Sequence, residues 1–168
     1  MSSWKKSTRK STHPDCSDSC CCSDSCCCSD PGPTFSFSEP TSVFSASPLL
    51  TVTNIETPIT TVTINPCKES LIELRGLVGW SSDPQSDVLT FWRIRRGVGG
   101  PIIWEGHDGI GVDDAEERGY ISSMLHVDNN AELGSNYVLT AQVDPVTSPG
   151  LTAKINGPIV FNATAYPI

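Results

Sequence analysis

Seven of the eight cysteines fall between Cys16 and Cys28, and they repeat. CSDSCC spans residues 16–21, the same hexapeptide spans 22–27, and CSD closes at 28–30. Thiols packed this densely have two chemistries open to them. Cys16, Cys20, Cys21, Cys22, Cys26, Cys27 and Cys28 can form disulfides, or as thiolates they can hold a soft metal such as Zn²⁺ or Cu⁺. Neighbouring cysteines rarely pair with each other, because a disulfide needs Cβ atoms ~3.5–4.5 Å apart with a fixed dihedral. Triplets therefore favour bonds to other chains. The CxxC spacing of structural zinc sites is absent and no histidine lies inside the repeat, so intermolecular disulfides are the favoured reading and a metal cluster the competing one. Cys67 stands apart in Asn65-Pro66-Cys67-Lys68. It reads either as the acceptor thiol for a neighbour's tail or as an ordinary packed thiol.

Phe35 and Phe37 form the second candidate site. They alternate with Thr34, Ser36 and Ser38, which is strand periodicity. Pro31 and Pro33 precede them, Pro40 follows, and no hairpin partner is adjacent in sequence. Such a strand either adds to the sheet edge of another subunit, as a β-augmentation connector, or pairs with its own domain.

The remaining chemistry is sparse. Asp108, Asp113, Asp114, Glu116 and Glu117 supply hard oxygen ligands but lack EF-hand spacing, so they read as a solvated acidic loop. Gly106, Gly109 and Gly111 have no P-loop lysine after them and read as a turn cluster. His13 is in the tail, His107 is expected in a turn beside Asp108, and His126 is expected on a strand. Neither G-x-S-x-G nor H-E-x-x-H occurs, so no catalytic residue, metal site or cofactor is expected and the chain is not read as an enzyme. Asn162-Ala163-Thr164 is a formal glycosylation acceptor. Trp80, Trp92, Trp104 and Tyr137 are expected in the core or at contacts between subunits, with a carbohydrate platform as the alternative.

These residues sit in a chain of 168 with net charge −8. The acidic excess argues against nucleic acid and anionic membranes as partners. Residues 1–10 are basic, residues 11–30 carry four aspartates, and the surplus negative charge falls after residue 30. No apolar run of 7–15 residues follows Lys5, Lys6, Arg9 and Lys10, so export by signal peptide is not expected. No stretch of about 18 apolar residues suggests a membrane span. The Ser/Asp/Cys segment has no large apolar residue to build a core and is expected to be disordered. Three regions follow: a flexible Cys-rich tail over 1–33, a connector strand over 34–47, and a folded domain over 48–168.

Beyond residue 40, short β-rich runs recur between turn signals every 8–14 residues. Strands are expected at 41–46, 49–55, 59–64, 70–80, 88–96, 101–105, 119–127, 136–144, 151–155 and 158–165. Ile72, Leu74, Gly76, Val78 and Trp80 share one face of their strand. Val88, Trp92 and Ile94 share a face opposite Leu89, Phe91, Arg93 and Arg95. Tyr137, Leu139, Ala141 and Val143 oppose Asn136, Thr140 and Gln142. With no segment of helical period, this pattern implies an all-β sandwich, best matched by a jelly roll.

LIELRGLVGW, LTFWRIRRG, NYVLTAQV and GPIVFNATAYPI together resemble jelly-roll proteins of bacterial spore surfaces, with the fold of the complement globular head and tumour necrosis factor. The clustered N-terminal cysteines resemble the connector of endospore appendage subunits. The resemblance implies a homo-oligomer, in rings or trimers stacking into a fibre, tied by its tail to itself or to other spore-surface proteins. It implies no nucleic acid or membrane partner, and release by mother-cell lysis. The alternative is an oligomeric lectin-like binding head with a metal-binding Cys-rich tail.

Overall fold

A computed structural model describes residues 32–66, 69–83, 86–111, 119–132 and 134–168. Every regular element among them is a strand: β1 (Thr34–Thr41), β2 (Leu50–Val52), β3 (Thr57–Ile64), β4 (Ser70–Ser82), β5 (Val88–Arg96), β6 (Ile102–Ile110), β7 (Gly119–Asp128), β8 (Ser135–Val143) and β9 (Ala153–Pro167). They form two antiparallel sheets. One is ordered β1-β9-β4-β7, with β2 also on β9, and the other β3-β8-β5-β6. The chain is an all-β sandwich.

Period-2 patterning explains the layering. Ile72, Leu74, Val78 and Trp80 of β4 face Val88, Trp92 and Ile94 of β5 across the core. The rings of Trp80 and Trp92 meet edge-to-face at 5.7 Å between centroids, an arrangement favoured by the aromatic quadrupole. In β8, Tyr137, Leu139, Ala141 and Val143 are buried as expected, but Val138 and Thr140 are buried too. β8 lies between β3 and β5, so neighbours cover its outer face as well.

Five strand expectations are corrected. Residues 42–49 form no strand. Val43 and Phe44 are adjacent rather than alternating, and short Ser/Thr side-chain bonds, such as Ser47 N–H to Ser45 Oγ, turn the chain. The run at 49–55 shrinks to β2, because a Thr53 hydroxyl accepts from the Ile55 amide and bends the chain there. The run at 101–105 extends to Ile110, and 151–155 and 158–165 merge into β9. β9 is continuous because Gly157-Pro158 bulges out opposite Gly79, where the register shifts between Val78 and Trp80. A Cβ on Gly79 would come within 1.8 Å of the Gly157 carbonyl oxygen, so only glycine fits that crossing.

The turn assigned to Gly106, His107, Asp108 and Gly109 is likewise corrected. All four are in β6, paired with Trp92, Phe91, Thr90 and Leu89. Gly106 is there for packing: a Cβ would lie 2.6 Å from the Trp104 indole.

Candidate functional site

The sandwich has two outer faces, and they differ in kind. On the four-stranded sheet, the outward side chains of β5 are Leu89, Phe91, Arg93 and Arg95, opposite the buried Thr90, Trp92 and Ile94. The arginines converge on Glu56, in the segment leading into β3. Glu56 accepts from Arg95 Nε and Nη2, both at 2.6 Å, from Arg93 Nη1 at 3.2 Å, and from the Thr140 hydroxyl at 2.6 Å. Arg93 also pairs with Glu105 and Gln142. The Arg95 hydrogen bonds hold the Glu56 carboxyl at about 2, well below its ordinary 4.5, against the opposing effect of burial. Phe91 lies under Arg93 and edge-on to His107. The charged groups of this cluster find partners within one chain.

The outer face of the five-stranded sheet is built differently. Reading across the register, one row is Phe35–Thr164–Glu73–Val127 and the next is Phe37–Asn162–Arg75–Leu125. Below them lie Val160–Leu77–Ser123, then Gly79–Ile121. Phe35 and Phe37 stack on each other at 5.8 Å and are 60% and 62% exposed. At the opposite edge Ile121 and Leu125 are 60% and 59% exposed, with Val127 beside them. A polar spine of Thr164, Asn162 and the Glu73–Arg75 ion pair runs between the two apolar borders. A shallow depression of about 470 Å³ lies at its lower end, between Arg75, Leu77, Leu125, Val160 and Asn162. Scattered exposed apolar residues are normal, but aligned ones bordering a sheet mark an interaction surface.

Side-chain ties hold the two sheets together at their margins. Asp128, at the end of β7, is 3% exposed and accepts from Arg96 Nε (3.0 Å) and Nη2 (2.6 Å) of β5. It also accepts from the Tyr137 hydroxyl (2.9 Å) of β8 and from the Asn130 amide (3.0 Å). Burial raises the Asp128 carboxyl, but these hydrogen bonds outweigh it and hold the group below its usual value. Burial and the bond to Asp128 push the Tyr137 hydroxyl well above its ordinary range. Between β4, β7 and β6, Trp80 Nε1 donates to Ser122 Oγ at 2.8 Å and Ser122 donates to Asp108 at 2.8 Å. At the far edge the Ser38 and Thr60 hydroxyls meet at 2.7 Å.

The anticipated sites are placed as follows. Cys16, Cys20, Cys21, Cys22, Cys26, Cys27, Cys28 and Cys67 lie outside the described residues, as do His13, Asp113, Asp114, Glu116 and Glu117. Phe35 and Phe37 lie on β1, which pairs with β9 of its own chain. Asp108 belongs to a strand and serves the Trp80–Ser122 relay. His126 is on β7 opposite Leu74, as expected of a strand residue. Trp80, Trp92 and Tyr137 are fully buried, so they offer neither a carbohydrate platform nor a subunit contact, whereas Trp104 only packs against the core's edge. Asn162 sits in the polar spine between Phe37 and Arg75. Among the described residues no three His, Cys, Asp or Glu side chains are grouped to hold a metal ion, and no helix is long and apolar enough to cross a membrane.

Ile121, Leu125 and Val127 were not anticipated. Their signal was nonetheless present: in 119–128 apolar residues occur on both strand faces, with Met124 inward and these three outward. A strand apolar on both sides, in a sheet with one face to water, leaves one apolar set without cover. The chain matches no protein-family model and no curated protein.

Proposed function

We propose that this chain is a structural, self-assembling subunit or anchor of a spore-surface fibre or exosporium. Its head is a jelly roll of the complement-head and tumour-necrosis-factor kind, and its N-terminal cysteines form intermolecular disulfides. The sheet orders support the finer fold: from β2 to β9, every connection except β5–β6 crosses between the sheets, as paired Greek keys require.

The observation that carries the assembly reading is the outer face of the five-stranded sheet. It presents Phe35 and Phe37 along one border and Ile121, Leu125 and Val127 along the other. The opposite sheet meets its own charges internally through Glu56. Copies of this chain meet through the apolar-bordered face, in rings or trimers. The cysteine tail then ties rings to each other or to other spore-surface proteins, each disulfide contributing roughly 2–4 kcal/mol. Such an assembly resists heat and denaturant and yields to reductant. Oxidation follows release by mother-cell lysis.

Two measurements on the full chain test this. Non-reducing gels should show a ladder that collapses on reduction to a single band at 18.0 kDa. One band under both conditions refutes the disulfide tether, and stoichiometric zinc or copper in that material assigns the tail to metal. Under reducing conditions, sedimentation velocity should show an oligomer that Leu125→Asp converts to monomer with an unchanged melting temperature. A wild-type head that stays monomeric at all concentrations overturns assembly through this face.

A further inference from the structure

β1 differs from every other described strand. The other eight each place at least one side chain in the hydrophobic core, and β1 places none. No residue of Thr34–Thr41 is buried. Its inward side chains include Ser36, opposite Ala163, and Ser38, whose hydroxyl makes the tie to Thr60. Its large side chains, Phe35 and Phe37, face outward and are mostly exposed. β1 is therefore held by backbone pairing to β9, from Thr34↔Ala165 to Thr41↔Ile159, and by that hydroxyl contact.

Its connection to the rest of the fold suits movement. Residues 42–49 carry no strand and are fastened to β9 by backbone bonds at two points, Ser45 N–H to Asn156 O and Leu49 N–H to Ile155 O, with Asn156 Nδ2 returning a bond to Ser45 O. Releasing β1 ahead of Ser45 leaves those anchors in place and removes no side chain from the core. Local opening costs least where few apolar contacts are lost. The vacated β9 edge would expose unpaired backbone groups, and the best match for it is an identical strand.

We propose that β1 is an exchangeable strand, leaving its own β9 and pairing with β9 of a second copy of this chain. A swap between identical partners preserves each β1–β9 bond and the Ser38–Thr60 contact, so the two arrangements differ mainly at the hinge of residues 42–44 and in association entropy. Reciprocal exchange closes a dimer, and one-way exchange propagates a linear chain. In either case residues 1–33, which directly precede β1, are delivered to the acceptor. This rests on the self-assembly reading and adds to it how one copy engages the next.

The test uses full-length chains with all eight native cysteines replaced by serine, so its result is independent of tail disulfides. One chain carries Ser36→Cys and the other Ala163→Cys, a directly paired position. Neither can form an internal disulfide. Mixed, incubated and oxidised with diamide, they should yield a heterodimer of twice the chain mass. A control mixture of Ser36→Cys with Ser123→Cys, on the opposite edge strand, should not. Equal heterodimer in both mixtures overturns the proposal. Should either variant melt early, hydrogen exchange on the unmodified reduced chain decides: β1 amides should exchange at least about tenfold faster than those of β4. Equal protection of β1 and β4 overturns strand release. A native chain that still gives the disulfide ladder while these tests fail leaves the tether standing without strand exchange.

Discussion

Replacing Asp128 by Asn tests whether the sandwich is closed by a buried charge. The carboxylate is 3% exposed and receives four hydrogen bonds: two from Arg96, one from Tyr137 and one from the Asn130 amide. Asn keeps the shape but removes the charge, and its NH₂ then faces the guanidinium or the Tyr137 hydroxyl donor. Removing one partner of a buried ion pair costs about 3–5 kcal/mol, because the other charge is left uncompensated. Arg96 is 29% exposed and can recover some hydration, so the lower end applies. A loss of about 3 kcal/mol corresponds to a melting temperature lower by about 10–15 °C for a domain of this size. Urea denaturation of chains with tail cysteines replaced by serine is the assay, since reshuffling disulfides would spoil two-state analysis. The acid limb adds a signed check. The folded-state carboxyl lies below its ordinary 3.8, so the pair stabilises fully above that value and its contribution is lost as pH falls through the folded value. Asp128→Asn should remove that part of the acid dependence. A loss under about 1 kcal/mol with an unchanged m-value would refute the claim that Asp128 joins the sheets.

Four further outcomes follow from named residues. Glu56→Gln should flatten the stability profile between about pH 4.5 and 2, the window in which wild type loses the stabilisation carried by the ionised Glu56, read by denaturation at each pH. Gly79→Ala should prevent folding or cost more than about 3 kcal/mol, since the Gly157 carbonyl occupies the methyl's position. Gly76→Ala, facing the flexible Met124 side chain at 3.3 Å, should stay within about 1 kcal/mol in the same urea titration. Phe37→Asp should leave the melting temperature nearly unchanged while weakening self-association in sedimentation, because the ring is mostly solvent-exposed in the single chain.

The alternating runs were legible from residue order alone. Ile72 to Trp80, Val88 to Ile94 and Tyr137 to Val143 point inward as their period requires, because a pleated strand sends successive side chains to opposite faces whatever its neighbours are. The all-β class and the core aromatics Trp80, Trp92 and Tyr137 follow from that local rule. The segregation of seven cysteines into a segment lacking large apolar residues is read directly from composition along the chain. What tertiary structure alone decided depends on contacts between residues far apart in the chain. Gly106 reads as a turn until the Trp104 indole and the pairing with Trp92 fill the space around it. Gly157-Pro158 reads as a strand break until Gly79 is seen beneath it. Phe35 and Phe37 alternate like any strand, and only the β1–β9–β4–β7 order sets them on the same face as Ile121, Leu125 and Val127. Periodicity assigns a residue to a side of its own strand. Which strands share that side is set by sheet order, and sheet order is a property of long-range pairing that no local pattern encodes.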